Sequence, residues 1–330
     1  MSLPRVLSGI QPTSDSFHVG NHLGALKNWV EMQNTHECVY FIADMHAITV
    51  EQDPAQLRER TLSSYAQLLA LGIDPKKSIL IVQSQVPEHA QLMWIMSSIT
   101  GIGEANRMTQ FKDKAAKGGA SSASVGLLTY PILQAADILL YQANAVPVGE
   151  DQRQHLELTR DLAIRFNGRF GNTFVVPEPF IVKATAKIQD LQDPSAKMSK
   201  SSPSGCINLL DPLKTTEKKI KSAVTDSDTE IRFDPANKAG VSNLLTILSA
   251  YSGIPINDLV TSFEGRMYGD LKKETAAAVL EFIEPYQGRV NELLGDKAEL
   301  ESLMHDGATR AREIAAKTVA DVYSKIGFVS

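Results

Sequence analysis

GIQPTSDSFHVGNHLG, Gly9 to Gly24, leaves the short apolar run RVLSGI (5–10), turns through Pro12 and enters a segment of helical spacing. Leu23, Leu26, Trp29 and Val30 fall on one face of that segment over roughly 22–34. A strand turning directly into a helix places whatever the turn binds at the carboxyl end of the strand, where parallel α/β sheets hold their ligands. Gly20 lets a flat group approach the backbone, and the amides of the helix start suit a phosphate. His18 and Asn21 stand beside that spot. A tight turn carrying a surface histidine would read the same way, so the stretch alone supports both.

The alternation continues outward. CVYFIA (38–43) predicts a second strand, and Asp53-Pro54 opens a helix with an acidic cap and proline in the first turn, ending at Gly72. SILIV (78–82) predicts a third strand, with a helix after Pro87. A helix over 125–142 containing Pro131, a strand at AVPV (145–148) and a helix from about 150 to 167 follow. Strands alternating with helices predict a doubly wound, Rossmann-like α/β domain with a parallel sheet. From about 213 the strand signal fades, and KTTEKKIKSAV, NLLTILSAYSG, TAAAVLEFIEPY and ATRAREIAAKTVADVYSKIG are helical. The expected organisation is a catalytic domain over 1–204 and a helical domain over 205–330, whose last helix could pack back on the first domain. KDKAAKGGASSAS (112–124) reads as a flexible surface loop within the α/β half.

Composition bounds the function. Apolar residues make up 43% and charged residues 22% of 330, a globular profile with room for a real core. A net charge of −5 speaks against indiscriminate coating of nucleic acid, leaving local patches open. No apolar run is long enough to span a membrane. MSLPRVLSGIQP has neither signal-peptide nor transit-peptide character. Cys38 and Cys206 form no CxxC pair, and HExxH is missing, so no protein-held metal is expected, and a reducing cytoplasm fits. GxxxxGK[ST] and GxGxxG are also missing, which excludes a P-loop.

Three more stretches carry candidate chemistry. DPSAKMSKSS (193–202) sets Lys197 and Lys200 three apart among small polar residues. VPVGEDQRQHLELTRDL (146–162) follows a strand with Gly149 and begins a helix at Glu150-Asp151-Gln152, where acidic residues would also simply complement the helix dipole. TYPILQAADILLY (129–141) puts Asp137 in an apolar helix. A carboxylate is seldom buried unpartnered, so Asp137 is either at an exposed edge or facing a ligand donor such as an indole N–H. His46, in FIADMHAIT (41–49), lies just past a strand end, where a histidine is more often structural.

Together these stretches resemble a family. KMSKS (197–201) is the second signature of class I aminoacyl-tRNA synthetases, and HVGN (18–21) resembles the first. SGIQPT (8–13), HAIT (46–49), AADILLY (135–141), VPVGEDQ (146–152), IKSAVTDS (220–227) and VSNLL (241–245) resemble the bacterial-type tryptophanyl-tRNA synthetases, in order along nearly the whole chain. The resemblance implies ATP-dependent activation of L-tryptophan and its transfer to tRNA(Trp) by a homodimer, with Mg²⁺ accompanying ATP. It implies ATP contacts from Gln11, Pro12, Thr13, Gly20 and Asn21, from Gly149, Glu150 and Asp151, and from Ile188 beside adenine. In the lysine loop it implies contacts from Lys197, Met198, Ser199, Lys200 and Ser201. The lysines would meet charge growing on the leaving pyrophosphate, in a loop able to close on ATP and reopen, with His18 and Gln152 near the reacting groups. Asp137 would accept the indole N–H, in a pocket with Gly9, His46, Gln134, Val146 and Val148.

The chain departs from the family pattern in three places. Ser14-Asp15 stand where glycine is usual, with about one extra residue, and His22 stands where tyrosine is common. Gln134 replaces a usual methionine, giving Gln-x-x-Asp, which resembles the phenol-binding pair of tyrosyl-tRNA synthetases. Activation of tyrosine, or non-catalytic binding of tryptophan or tRNA, are the alternatives. The basic stretch 214–221 and Arg310 with Arg312 are candidate tRNA contacts, or solvated helix faces.

Overall fold

The computed structural model describes residues 3–108, 124–147, 152–180 and 187–329. Strand β1 (Arg5–Ile10) is central in a sheet with β2 (Glu37–Ile42), β3 (Ile79–Val82), β4 (Ala145–Pro147) and β5 (Glu178–Phe180). The order is β3-β2-β1-β4-β5, with every neighbouring pair parallel. The chain winds outward from β1 through β2 to β3, then returns to the other side of β1 as β4. That reversal opens a crevice at the carboxyl ends of β1 and β4. The sequence foresees four of the strands. β5 escapes it because the strand is three residues long, contains Pro179 and is largely exposed, as suits a sheet edge.

Side-chain alternation along the strands builds two cores. Val6, Cys38, Tyr40, Ile42, Leu80 and Val82 face one layer, while Leu7, Val39, Phe41 and Ile81 face the other. The second layer contains α5 (Glu88–Ile99), α7 (Val125–Leu140) and α8 (Arg153–Phe170). Between α5 and α7 lies the short α6 (Ile102–Asn106). The first layer begins with α1 (Val19–Asn21), which passes through a π-helical turn, His22–Leu26, into α2 (Lys27–Met32). Next in the chain come α3 (Asp44–Ala47), whose His46 reaches Asp137 on α7, and α4 (Pro54–Ala70), which packs in the first core. The Asp53 carboxylate caps α4, its Oδ1 accepting the Gln56 N–H at 2.9 Å, and Gly72 beyond its end has φ +106°. Residues 112–123 of the expected loop lie outside the described residues. Ser124 caps α7, its Oγ accepting the Leu127 N–H at 3.1 Å. Helix α8 continues past the Asn-Gly pair at 167–168, because Phe166 and Phe170 pack at a ring separation of 4.9 Å, and Gly171, φ +94°, ends it.

The remaining helices are α9 (Leu213–Lys221), α10 (Ala239–Ser252), α11 (Ile256–Ser262), α12 (Tyr268–Gly295) and α13 (Lys297–Ile326). Helix α12 packs on α4, α9 and α10, so these helices share the first core with the sheet. His22 belongs to that contact. Its ring stacks on Phe282 at 4.5 Å and its Nδ1 lies 3.0 Å from the Tyr251 hydroxyl, which gives the imidazole at this position a structural role. Helix α13 runs across the outer edge of the sheet. Leu300 and Met304 enter the first core, and Ala308, Ala311, Ala315, Val319 and Val322 enter the second. Arg310, a candidate tRNA contact when read from its charge alone, instead donates from Nη1 to the backbone carbonyls of Pro75 and Ser78. Arg312 pairs with the buried Glu88 at 3.1 Å while keeping half its side chain exposed. Among the described residues no single helix is long and apolar enough to cross a membrane.

Gly307 marks where α13 crosses β3. A Cβ there would lie 2.1 Å from the Leu80 carbonyl oxygen, which as backbone cannot turn away. Gly307→Ala is therefore expected to destabilise the fold by about 1–3 kcal/mol, read from urea unfolding. Gly288→Ala, in α12 with open space around the added carbon, should be neutral or stabilising by up to about 1 kcal/mol.

Candidate active site

The turn leaving β1 runs through Gln11, Pro12 and Thr13, with Pro12 buried and the other two exposed. His18 then caps α1. Its Nδ1 accepts the Asn21 N–H at 3.2 Å, and the Asn21 Oδ1 accepts the His18 N–H at 3.1 Å. This reciprocal pair satisfies donors that a helix start leaves open. Because Nδ1 is an acceptor, the proton of the neutral ring sits on Nε2. Burial lowers the His18 pKa to about 4, with Lys200 and then Lys197 adding to the shift. A neutral imidazole able to donate from Nε2 thus stands near both signature lysines.

A long-range pairing brings the two signatures together. His18 forms an antiparallel bridge with Asn208, flanked by Val19 N–H to Ile207 O at 2.9 Å and Leu209 N–H to Phe17 O at 2.8 Å. A Cβ on Gly20 would sit 2.9 Å from the His18 ring and at contact distance, 3.6 Å, from Met198 Cβ, so glycine here leaves room for the capping imidazole beside the second signature. Ile188 and Met198 are buried, whereas Lys197, Ser199, Lys200 and Ser201 are exposed. The Lys200 ammonium meets the Ser14 hydroxyl, and Ser199 and Ser201 lie 3.0 Å apart through their hydroxyls. Loss of hydration lowers the Lys200 pKa, with Cys206 and Asp15 acting in the opposite sense. The unusual Ser14-Asp15 insertion therefore lies against the lysine loop.

A cavity of about 310 Å³ opens at the β1/β4 reversal. Gly9, Gln11, His46, Gln134, Asp137, Val146 and Gln152, all singled out from sequence, line it. A Cβ on Gly9 would lie 2.4 Å from Phe41 Cζ, so this wall requires glycine. Val148, Gly149, Glu150 and Asp151 lie outside the described residues. The Gln134 amide donates to Gln152 Oε1 at 3.4 Å.

Asp137 is fully buried at the base of this cavity. Protein donors already hold it: His46 Nε2 at 2.8 Å from Oδ2, His89 Nδ1 at 2.6 Å from Oδ1, and Gln83 Nε2 at 2.8 and 3.0 Å from the two oxygens. On its other side, His89 Nε2 lies 2.9 Å from the Tyr141 hydroxyl. Burial pushes the Asp137 carboxyl up, but the charge of His89 and the hydrogen bonds of both imidazoles outweigh it and hold the pKa at about 2. Sequence reasoning missed Gln83, His89 and Tyr130, the last another cavity wall residue. The available signal was the demand of a buried carboxylate for several donors, which counts partners without locating them. Among the described residues no group of three or more His, Cys, Asp or Glu side chains could hold a metal ion.

Comparison with known proteins places these features. The family described as tRNA synthetases class I (W and Y) matches residues 2–284. The tryptophan–tRNA ligase 2 of Streptomyces avermitilis is 60% identical over 328 residues, covering 99% of this chain and 97% of its own. The crystal structure of tryptophanyl-tRNA synthetase from Mycoplasma pneumoniae superposes with a TM-score of 0.88 at 38% identity, covering 99% of both chains. That of Campylobacter jejuni, complexed with ADP and tryptophan, gives 0.87 at 39% identity, covering 98% of this chain and 100% of its own.

The two histidines of the first helix make the site sensitive to acid. His18 and His22 have pKa values lowered to about 4 from 6.5, chiefly by burial. The unfolded chain takes up these protons near pH 6.5, so the folded state binds fewer protons between the two values. Stability is thus undiminished above pH 6.5 and falls as the pH drops toward 4. Imidazole signals in an NMR titration should give midpoints near 4 for both residues, and urea midpoints should decline over the same window.

Proposed function

This chain belongs to the class I tRNA synthetases that serve tryptophan and tyrosine, and we propose the following account of its work as the tryptophan enzyme. One oxygen of the tryptophan carboxylate attacks the α-phosphorus of ATP. The bond from that phosphorus to the bridging oxygen of the β-phosphate breaks, and pyrophosphate departs with the Mg²⁺ that accompanies the nucleotide as substrate. A ribose hydroxyl at the 3′ end of tRNA(Trp) then attacks the activated carbonyl, and AMP leaves. No enzyme nucleophile is required. Catalysis rests on holding the reactants in line and on charge placed where charge develops.

The observation that carries this reading is the continuity of the two halves of the site. The segment that contributes Gly9 and Gln11 to the cavity runs on to His18 and Gly20, and a Cβ on Gly20 would come within 3.6 Å of Met198 Cβ in the lysine loop. Tryptophan would occupy the cavity with its indole N–H toward Asp137, an acceptor kept ionised by its imidazole partners. ATP would lie along the Gln11–Thr13 turn and the start of α1, with Ile188 beside adenine and further contacts from Gly149, Glu150 and Asp151. Lys197 and Lys200 would meet the pyrophosphate, and His18 would donate from Nε2 to a phosphate oxygen. Gln134, the residue most suggestive of tyrosine, lines the same cavity and gives its amide to Gln152.

The helices from α9 onward, in the helical region 205–330, would read the tRNA anticodon. Lys214, Lys218 and Lys221 on α9 are exposed for such a contact. A second copy of the chain would pack where Ile48 and Val50 flank Thr49. The Thr49 carbonyl accepts the Ser124 hydroxyl and so brings the exposed Val125 alongside. The reaction belongs in the cytoplasm, where its tRNA and ATP are found.

Amino-acid-dependent ATP–pyrophosphate exchange tests the proposal. Exchange should appear with tryptophan and be at least about 10²-fold weaker with tyrosine. Lys200→Ala should lower the tryptophan rate by about 10²–10³-fold. Equal exchange with tyrosine would overturn the substrate, and full activity in the variant would overturn the role of the loop.

A further inference from the structure

Residues 188–190 and 196–198 pair as a short two-stranded neck, and the lysine loop begins in its second strand and runs on from it. Met198 N–H bonds to Ile188 O at 3.1 Å, Asp190 N–H bonds to Ala196 O at 2.9 Å, and Gln189 bridges Lys197 in antiparallel register. In this arrangement the bonds across the neck come from the residues on either side of Gln189. Its own N–H and C=O point outward, where a third strand would pair with them. Among the described residues no strand lies there. The side chain of Asn243 on α10 takes its place: Oδ1 accepts the Gln189 N–H at 2.9 Å, and Nδ2 donates to the Gln189 carbonyl at 3.0 Å. Asn243 is only 5% exposed, and its two bonds reach across 54 residues of sequence.

Among the polar side chains, asparagine suits this task because its amide offers a donor and an acceptor side by side, in the manner of a peptide group. Around it, backbone hydrogen bonds tie the neck to its neighbours. Leu191 N–H bonds to Gly205 O at 2.9 Å, and Val224 N–H bonds to Leu191 O at 2.8 Å. The tip of the turn is closed by Asp190 Oδ1, which accepts the N–H groups of Gln192 and Asp193 at 2.8 and 3.0 Å. Lys197 lies in the neck itself, directly opposite Gln189, so the orientation of Gln189 sets the direction in which Lys197 leaves the backbone.

We infer that Asn243 is a positioning residue for the transition state, acting through Gln189 on Lys197 and Lys200. It touches none of the cavity that receives the amino acid, so its effect is on the turnover of bound reactants. Because it stands on α10, it also gives the helical region a direct hydrogen-bonded hold on the lysine loop. The inference rests on the reading of those lysines as pyrophosphate contacts.

The test compares the full chain with Asn243→Ala, Asn243→Asp, Lys200→Ala and the Asn243→Ala/Lys200→Ala double variant. Each is assayed for pyrophosphate exchange, tryptophan binding by equilibrium dialysis, and thermal midpoint. Asn243→Ala should lower kcat by about 10²-fold, the scale of a catalytic group displaced by roughly 1 Å. KM for tryptophan should change by less than about twofold. Asn243→Asp keeps the acceptor and the volume but loses the donor, and should fall between the two. If Asn243 acts through the lysines, the double variant should lose far less than the product of the single losses. Unchanged kcat in Asn243→Ala, or losses that multiply in the double variant, would overturn the inference. Should the alanine variant unfold, the aspartate variant decides: a folded protein with full kcat refutes the positioning role. Full exchange in Lys200→Ala would instead refute the reading of the loop, a result distinguishable from the failure of Asn243 alone.

Discussion

Two backbone hydrogen bonds between Phe17–Val19 and Ile207–Leu209 are the constraint on which the candidate site depends. They join the start of the first helix to the segment just after the lysine loop. Without them the two signatures would be separate surface features of a large sheet protein. With them, the loop is tethered on its far side by this pairing and on its near side by the neck at Gln189. Motion of the lysines is thereby confined to the span between the tethers. Such confinement suits a reaction in which charge must be met at one place, because a preorganised cation need not be reoriented as the reaction proceeds.

The base of the amino-acid cavity obeys a different rule. A buried carboxylate is tolerated only with donors arranged around it, and Asp137 has an amide and two imidazoles. These groups do double duty. They keep the carboxylate ionised, and they hold its orientation. The Tyr141 hydroxyl lies 2.9 Å behind His89 and anchors that ring, so the setting of Asp137 depends on a side chain one layer deeper.

Much of this is legible in the amino-acid sequence. The parallel sheet can be read because its central strands are continuous apolar runs and the ends of α4 carry chemistry that leaves little choice, Asp53-Pro54 at one end and Gly72 at the other. Gly9, Gln11, His46, Asp137 and Gln152 can be named because signatures and strand ends mark them. What stays hidden is of two kinds. Short features without periodicity, such as β5 and the π-helical turn at His22–Leu26, make no repeating pattern. Partners distant in sequence, such as His89 for Asp137 or Asn243 for Gln189, are chosen by the fold and leave no local trace. Arg310 is a like case: its charge can be read from the sequence, but the backbone carbonyls of Pro75 and Ser78 that its Nη1 meets cannot.

Helix α13 carries a consequence for the order in which the chain acquires its structure. β3 is the outer strand of the sheet, and the helix that covers it lies far away in sequence: Arg310 bonds to Ser78 across 232 residues. During synthesis the strands and their crossover helices emerge long before α13, and for that interval the edge of β3 and the apolar groups on both sheet faces beside it stand uncovered. An open strand edge invites pairing with another chain. The nascent protein thus passes through a stage in which the sheet exists but its border does not, and the ribosome must deliver the closing helix before a neighbouring chain supplies a substitute.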